Sequence, residues 1–226
     1  MNALFNTLAF LVFPYVMLTV FFVGHSYRYL TDRFDWNAKS SELLEKESLR
    51  YGIFLFHWGM IFTFVGHFSG LLTPQWLLDR VGITADIHDF IAIHTGRLFG
   101  LMTLIGLVML FRRRMANARV RSAGSMNDLV LLGLLFLVAL FGTYNTFFAH
   151  YDVLYSVAPW IRSIVTLTPD PDLMLRVPWS YKIHILGAFA LLGFSPFSRL
   201  VHIWSLPVTY LVRPHLSFRR RTAGVP

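Results

Sequence analysis

Nine histidines and eight methionines are the neutral side chains that could hold a metal, because the chain contains no cysteine. That absence removes disulfides, iron–sulfur clusters, cysteine zinc sites and the C-x-x-C-H attachment of haem. Four of the histidines stand in apolar sequence: Phe56-His57-Trp58-Gly59, Val65-Gly66-His67-Phe68, Ile183-His184-Ile185 and Val201-His202-Ile203. Burying a polar ring without a partner costs free energy. Such a histidine is therefore either a hydrogen-bonded structural residue or a group kept for its chemistry, and neutral imidazole is a common metal ligand. The acidic residues lie nearly all outside these apolar stretches, so paired-carboxylate catalysis and a carboxylate proton relay are poorly supported. There is no phosphate-cradling glycine loop, no G-x-S-x-G and no H-E-x-x-H.

The elements that must position these rings are themselves apolar. Of 226 residues, 55% are hydrophobic and 14% charged, and mean hydropathy is +0.55. A soluble domain carries about 25% charged residues. Disordered chains are poor in aromatics, whereas this one has 22 Phe. A globule of this size has too little interior to hide so much apolar surface. The class implied is an all-α, polytopic membrane protein. Five stretches (3–28, 51–72, 89–111, 128–149 and 180–205) reach the about 20 residues needed to span a bilayer. They are continuous rather than alternating, which excludes β-barrel strands. The prediction is a five-transmembrane-helix bundle forming a single domain over 1–226, with no internal repeat. The first stretch has no Lys or Arg before Arg28, so it is expected to be a retained span rather than a cleaved signal peptide.

The net charge of +8 would suggest nucleic acid in a soluble protein, but its placement speaks for topology. Arg28, Arg33, Lys39, Lys46 and Arg50 follow the first span. Arg112, Arg113, Arg114, Arg119 and Arg121 follow the third, and Arg199, Arg213, Arg219, Arg220 and Arg221 occupy the C-terminal region. The second and fourth connections hold only Arg80, Arg162 and Arg176. The positive-inside rule then puts the N-terminus outside and the short C-terminal tail in the cytoplasm. A cytoplasmic face that docks a partner would show the same pattern. The first connection carries a short interfacial helix at Ser41–Lys46, and the fourth, with Pro159, Pro169, Pro171 and Pro178, reads as irregular.

On this topology His57 and His202 lie toward the inner face, and His67 and His184 toward the outer. Ten helical residues separate His57 from His67 by about 15 Å. Eighteen would separate His184 from His202 by about 27 Å on one face, a mismatch of about 12 Å that tilt or a break near Pro196 would have to absorb. A lone histidine on an apolar face is usually structural. Four that pair by depth across two helices suit two haems, each held by two imidazoles. Gly70 and Gly187 follow His67 and His184 by three residues and could bare a patch for a flat macrocycle. Close helix packing explains them as well, as it does the pairs Gly66/Gly70 and Gly96/Gly100. His94, with Arg97 one turn on, could be a further ligand, a propionate contact or a quinone contact. His88 sits at the outer entry of the third span, and His25 has no assigned role. Arg199 is placed to meet a haem propionate, or to reach the inner headgroups.

At these residues the chain resembles the gamma subunits of respiratory nitrate reductases, the membrane cytochrome b of those complexes. The blocks that carry the resemblance are Leu55-Phe56-His57, Phe64-Val65-Gly66-His67-Phe68, Gly70-Leu71-Leu72-Thr73-Pro74-Gln75-Trp76 and Pro196-Phe197-Ser198-Arg199-Leu200-Val201-His202-Ile203-Trp204. Residues 77–100 and 145–178 match least. The resemblance implies two haem b groups, the inner on His57 and His202 and the outer on His67 and His184. It implies quinol as the substrate, oxidised near the outer haem, and electrons passing inward to an iron–sulfur beta subunit and a molybdenum alpha subunit on the cytoplasmic face, where nitrate becomes nitrite. The partners would be those subunits, the quinone pool and membrane lipid, with no nucleic acid. The setting would be a bacterial or archaeal cytoplasmic membrane. Gly66, His67, His88 and His94 are the candidates for contact with quinol, His88 and His94 by depth alone. Two other readings stay open: a cytochrome b feeding a reductase of sulfur or heterodisulfide metabolism, and a non-redox transporter whose histidines line a water path.

Overall fold

The computed structural model describes residues 3–31, 47–149 and 151–205. The expected helix at Ser41–Lys46 and the tail beyond residue 205 lie outside them. The described residues are helical, without strands. The helices are α1 (Ala3–Thr31), α2 (Glu47–Leu72), α3 (Gln75–Arg80), α4 (Ala85–Ala116), α5 (Ala118–Ser122), α6 (Met126–Phe148), α7 (Val157–Val165), α8 (Trp179–Phe194) and α9 (Val201–Trp204). Among the described residues α1, α2, α4 and α6 are long and apolar enough to cross a membrane. Only 6–17% of their most apolar windows is buried, so the greater part of that apolar surface faces outward, as a lipid solvent allows.

Local chemistry sets where these helices start and bend. In α1 the turn Leu8–Val12 widens to a π-helix just before Pro14. Pro14 has no N–H to give the carbonyl of Phe10 four residues back, and its ring crowds that oxygen. The orphaned carbonyl accepts instead from the indole N–H of Trp160, at 2.9 Å. Thr84 caps α4 by accepting from the N–H of Ile87. Ser125 and Asp128 form a reciprocal capping box at the start of α6.

Adjacent helices meet over small residues. A Cβ on Gly59 would fall 2.6 Å from the Thr103 nitrogen, and one on Gly106 2.4 Å from that of Phe56, so α2 and α4 touch backbone to backbone. Gly96 and Gly100 lie against Thr146 and Thr143 of α6, the packing their spacing suggested. Gly187 lies against Val138, joining α6 to α8, and Gly193 against Met17, joining α8 to α1.

Two expectations need correction. The connection 150–179 is not irregular throughout. It holds α7 and a 3₁₀ turn at Pro171–Met174, because Pro159 falls in the first turn of α7, where no intrahelical N–H is required. Trp160 and Met174 are fully buried there with Phe10, which makes this connection a cap over the N-terminal ends of α1 and α8. Arg162 of α7 donates to the Leu71 carbonyl at 3.0 Å, and burial holds its pKa below the ordinary arginine value. Nor is the fifth stretch one unbroken helix over 180–205. α8 stops at Phe194, a 3₁₀ turn covers Ser195–Phe197, Ser198 is extended, and α9 begins only at Val201. Pro196 is the cause: it cannot donate to the Leu192 carbonyl, and its ring collides with it.

Candidate functional site

The break at Pro196 decides how the histidines meet. His184 stays on α8, whereas His202 rides on α9 and is released from the register of α8. The separation of about 27 Å expected from an unbroken helix therefore does not apply. His57 faces His202 with ring centroids 6.0 Å apart and planes at 59°. His67 faces His184 at 5.8 Å and 34°. The four rings thus form two pairs, about 15 Å apart along α2. His57 and His184 are half-buried, His67 and His202 exposed.

Hydrogen bonding fixes the tautomer of all four rings. The Nδ1–H of His57 donates to Ile53 O at 3.0 Å, and that of His67 to Thr63 O at 2.8 Å. His184 donates across to Val138 O at 2.8 Å, and His202 to Arg199 O at 2.5 Å. A carbonyl only accepts, so Nδ1 carries the proton and Nε2 keeps its lone pair. Among the described residues no hydrogen bond engages Nε2 of any of the four.

This donor set can be tested against a metal. Two metal–nitrogen bonds of about 2 Å, plus the half-widths of two imidazoles, give a centroid separation of about 6 Å. Both pairs match it. No group of three or more His, Asp or Glu side chains converges among the described residues, so a zinc or calcium site is incomplete among them. Two opposed imidazoles suffice where a macrocycle fills the remaining positions, which is the case of haem iron. The residues therefore fit that group.

The end of α2 that carries His67 gathers further candidates. A Cβ on Gly66 would meet nothing within 4 Å, so the backbone beside His67 is open. A Cβ on Gly70 would fall 3.1 Å from Nε2 of His88, which brings His88 to the last turn of α2. His94 is exposed, and its contacts lie within its own helix: Nδ1 donates to Phe90 O at 2.8 Å and its ring lies 4.0 Å from that of Phe90. Arg97, one turn on, donates to Thr146 O at 2.9 Å.

Sequence reasoning missed three features. Asp128 receives Arg199 in a two-pronged pair, Nε to Oδ1 at 2.6 Å and a terminal nitrogen to Oδ2 at 3.1 Å, a partner in neither of the roles weighed for Arg199. Gly142 lies so close to His184 that a Cβ would come 2.8 Å from Cε1. An unexplained glycine inside a span was its only signal, since glycine costs helix stability of about 0.5–1 kcal/mol. His25, buried, shares a hydrogen bond of 2.8 Å with the hydroxyl of Ser195, and Arg28 donates to Pro196 O at 2.7 Å, so α1 clasps the break.

The chain is similar to known proteins along nearly its whole length. The family model described as nitrate reductase gamma subunit matches residues 6–221. The nitrate reductase gamma chain of Bacillus subtilis (strain 168) is 40% identical over 93% of this chain and 96% of its own length. The respiratory nitrate reductase 1 gamma chain of Escherichia coli (strain K12) is 33% identical over 96% of this chain and 98% of its own. A more distant relative is one of the subunits of the dihydromethanophenazine:CoB--CoM heterodisulfide reductase of Methanosarcina barkeri (strain Fusaro), 26% identical over 75% of this chain and 60% of its own. With paired rings on α2, α8 and α9 and a match along nearly its whole length, the chain belongs to the nitrate reductase gamma subunit family.

Proposed function

We propose that this subunit holds two b haems, the inner on His57 and His202 and the outer on His67 and His184, and oxidises quinol at its outer end. The observation that carries the reading is the double pairing at 6.0 and 5.8 Å with every Nδ1 already committed to a carbonyl. Bound there, haem supplies one-electron transfer between its ferric and ferrous states. The chain's own residues do the rest. The carbonyls of Ile53, Thr63, Val138 and Arg199 aim the imidazoles and make them better donors. Gly66, His67 and His88 present an open, polar turn where a quinol hydroxyl can give up its proton toward the outside. The position of His94 on its own helix favours His88 as the second polar group.

In this reading the chain crosses the bilayer five times, α8 with its 3₁₀ extension being the fifth crossing, with the N-terminus outside. Electrons pass inward to iron–sulfur and molybdenum subunits that reduce nitrate at the cytoplasmic face of a bacterial or archaeal membrane. The exposed Arg112, Arg119 and Arg121 then face those partners. Family membership with near-complete coverage favours nitrate over the heterodisulfide chemistry named for the distant relative. It also disfavours the transporter.

The test is haem loss by substitution in the purified complex. His67→Ala is expected to remove the outer haem and leave the inner one, and His57→Ala the reverse. Loss of the inner haem alone from His67→Ala would overturn the assignment.

A further inference from the structure

The stretch that carries His202 has little helix ladder of its own. After the 3₁₀ turn at Ser195–Phe197, Ser198 is extended and α9 begins at Val201. Within that short link the carbonyl of Arg199 accepts twice from His202, from its backbone N–H at 3.3 Å and from Nδ1–H at 2.5 Å. His57 and His67 instead lean on carbonyls of the regular helix α2. The orientation of the His202 ring therefore depends on where residue 199 is held.

The side chain of Arg199 is held by Asp128 of α6, at 2.6 and 3.1 Å. Asp128 is itself fixed. Its Oδ2 accepts from the N–H of Ser125 at 2.9 Å, and Arg114 lies 3.5 Å away. A planar guanidinium gripping both carboxylate oxygens admits little rotation, so the pair transmits position as well as charge. We infer that Asp128 is a positioning residue for the inner haem: through Arg199 it sets the carbonyl that orients His202 toward His57. The inference rests on the dihaem reading above.

The outer haem of the same chain is the internal control. In the intact complex, Asp128→Asn is expected to lower inner-haem occupancy at least twofold, or to displace the inner midpoint potential and its low-spin resonance signal, with the outer haem unchanged. Arg199→Lys, which keeps the charge but not the fork, should act the same way. Asp128→Glu should restore at least part of the inner-haem signature. Ser125→Ala removes the hydroxyl that caps the Asp128 backbone N–H but keeps both the Ser125 N–H on Oδ2 and the pair with Arg199, and should leave both haems as in the unaltered chain.

The inference is overturned if Asp128→Asn and Arg199→Lys leave the inner haem untouched, or perturb both haems equally. It is also overturned if Ser125→Ala reproduces Asp128→Asn, since the effect would then come from a loosened start of α6 and not from the pair with Arg199. Failure of both Asp128→Asn and Arg199→Lys to assemble counts against it as well, because the role would be general stability. An unaltered complex without haem would instead sink the dihaem reading itself, a separate result.

Discussion

At the scale of single residues, imidazoles in apolar sequence become useful when one nitrogen is tied down. Each of the four rings spends Nδ1 on a carbonyl and keeps Nε2. His184 differs from the others in reaching across to another helix, at Val138 O, and Gly142 lets α6 come close enough for that bond. Gly142→Val is therefore expected to push on the His184 ring and on nothing at the inner pair. Outer-haem content should fall at least twofold while inner-haem content holds, as read by reduced-minus-oxidised spectra. Equal loss of both would contradict the role given to Gly142. The four ring identities and their pairing by depth could be read from the sequence. Gly142 and Asp128 could not, because their meaning depends on which helices are neighbours.

At the scale of elements, α2 is the common support, since it carries one ring of each pair. Its packing on α4 leaves no room at Gly59, where a Cβ would strike the Thr103 backbone. Gly59→Val overfills this interface at a cost of about 1–3 kcal/mol. Heating the detergent-solubilised complex while following haem absorption should show both haems lost together, at a lower temperature than in the unaltered protein. Selective loss of one would contradict a shared support. Hydropathy alone located α1, α2, α4 and α6, because a lipid-facing helix advertises itself in composition. The fifth stretch was misread as one helix although Pro196 was visible, since apolar character ran on through the break. Helix α7 is hidden in the sequence because the prolines around it read as loop signals, yet Pro159 falls where a helix tolerates it. The pairing of His57 with His202 survived a mismatch of about 12 Å in helical arithmetic because the break removed the premise of that arithmetic.

At the scale of the whole molecule, two ring pairs stand at two levels of the helix bundle, the path the proposed function uses. In the proposed function, quinol protons released outside and electrons moving inward would together separate charge. Against a negative interior each electron works against about 2.3 kcal/mol per 100 mV. In the complex reconstituted into vesicles, quinol oxidation by nitrate should therefore build a potential, and an uncoupler should raise the rate. A rate indifferent to the uncoupler would contradict inward electron flow. The cap built on Trp160, Phe10 and Met174 closes the bundle at the other end from the arginine-rich face, so the two ends differ in chemistry, as the proposed function requires. All of this depends on iron porphyrin between the paired rings. The decisive experiment is the dithionite-reduced absorption spectrum of the purified protein, with haem quantified per chain. A b-type α-band and about two haems are expected; a colourless protein, or one haem that survives loss of either ring pair, would contradict the paired-ring assignment.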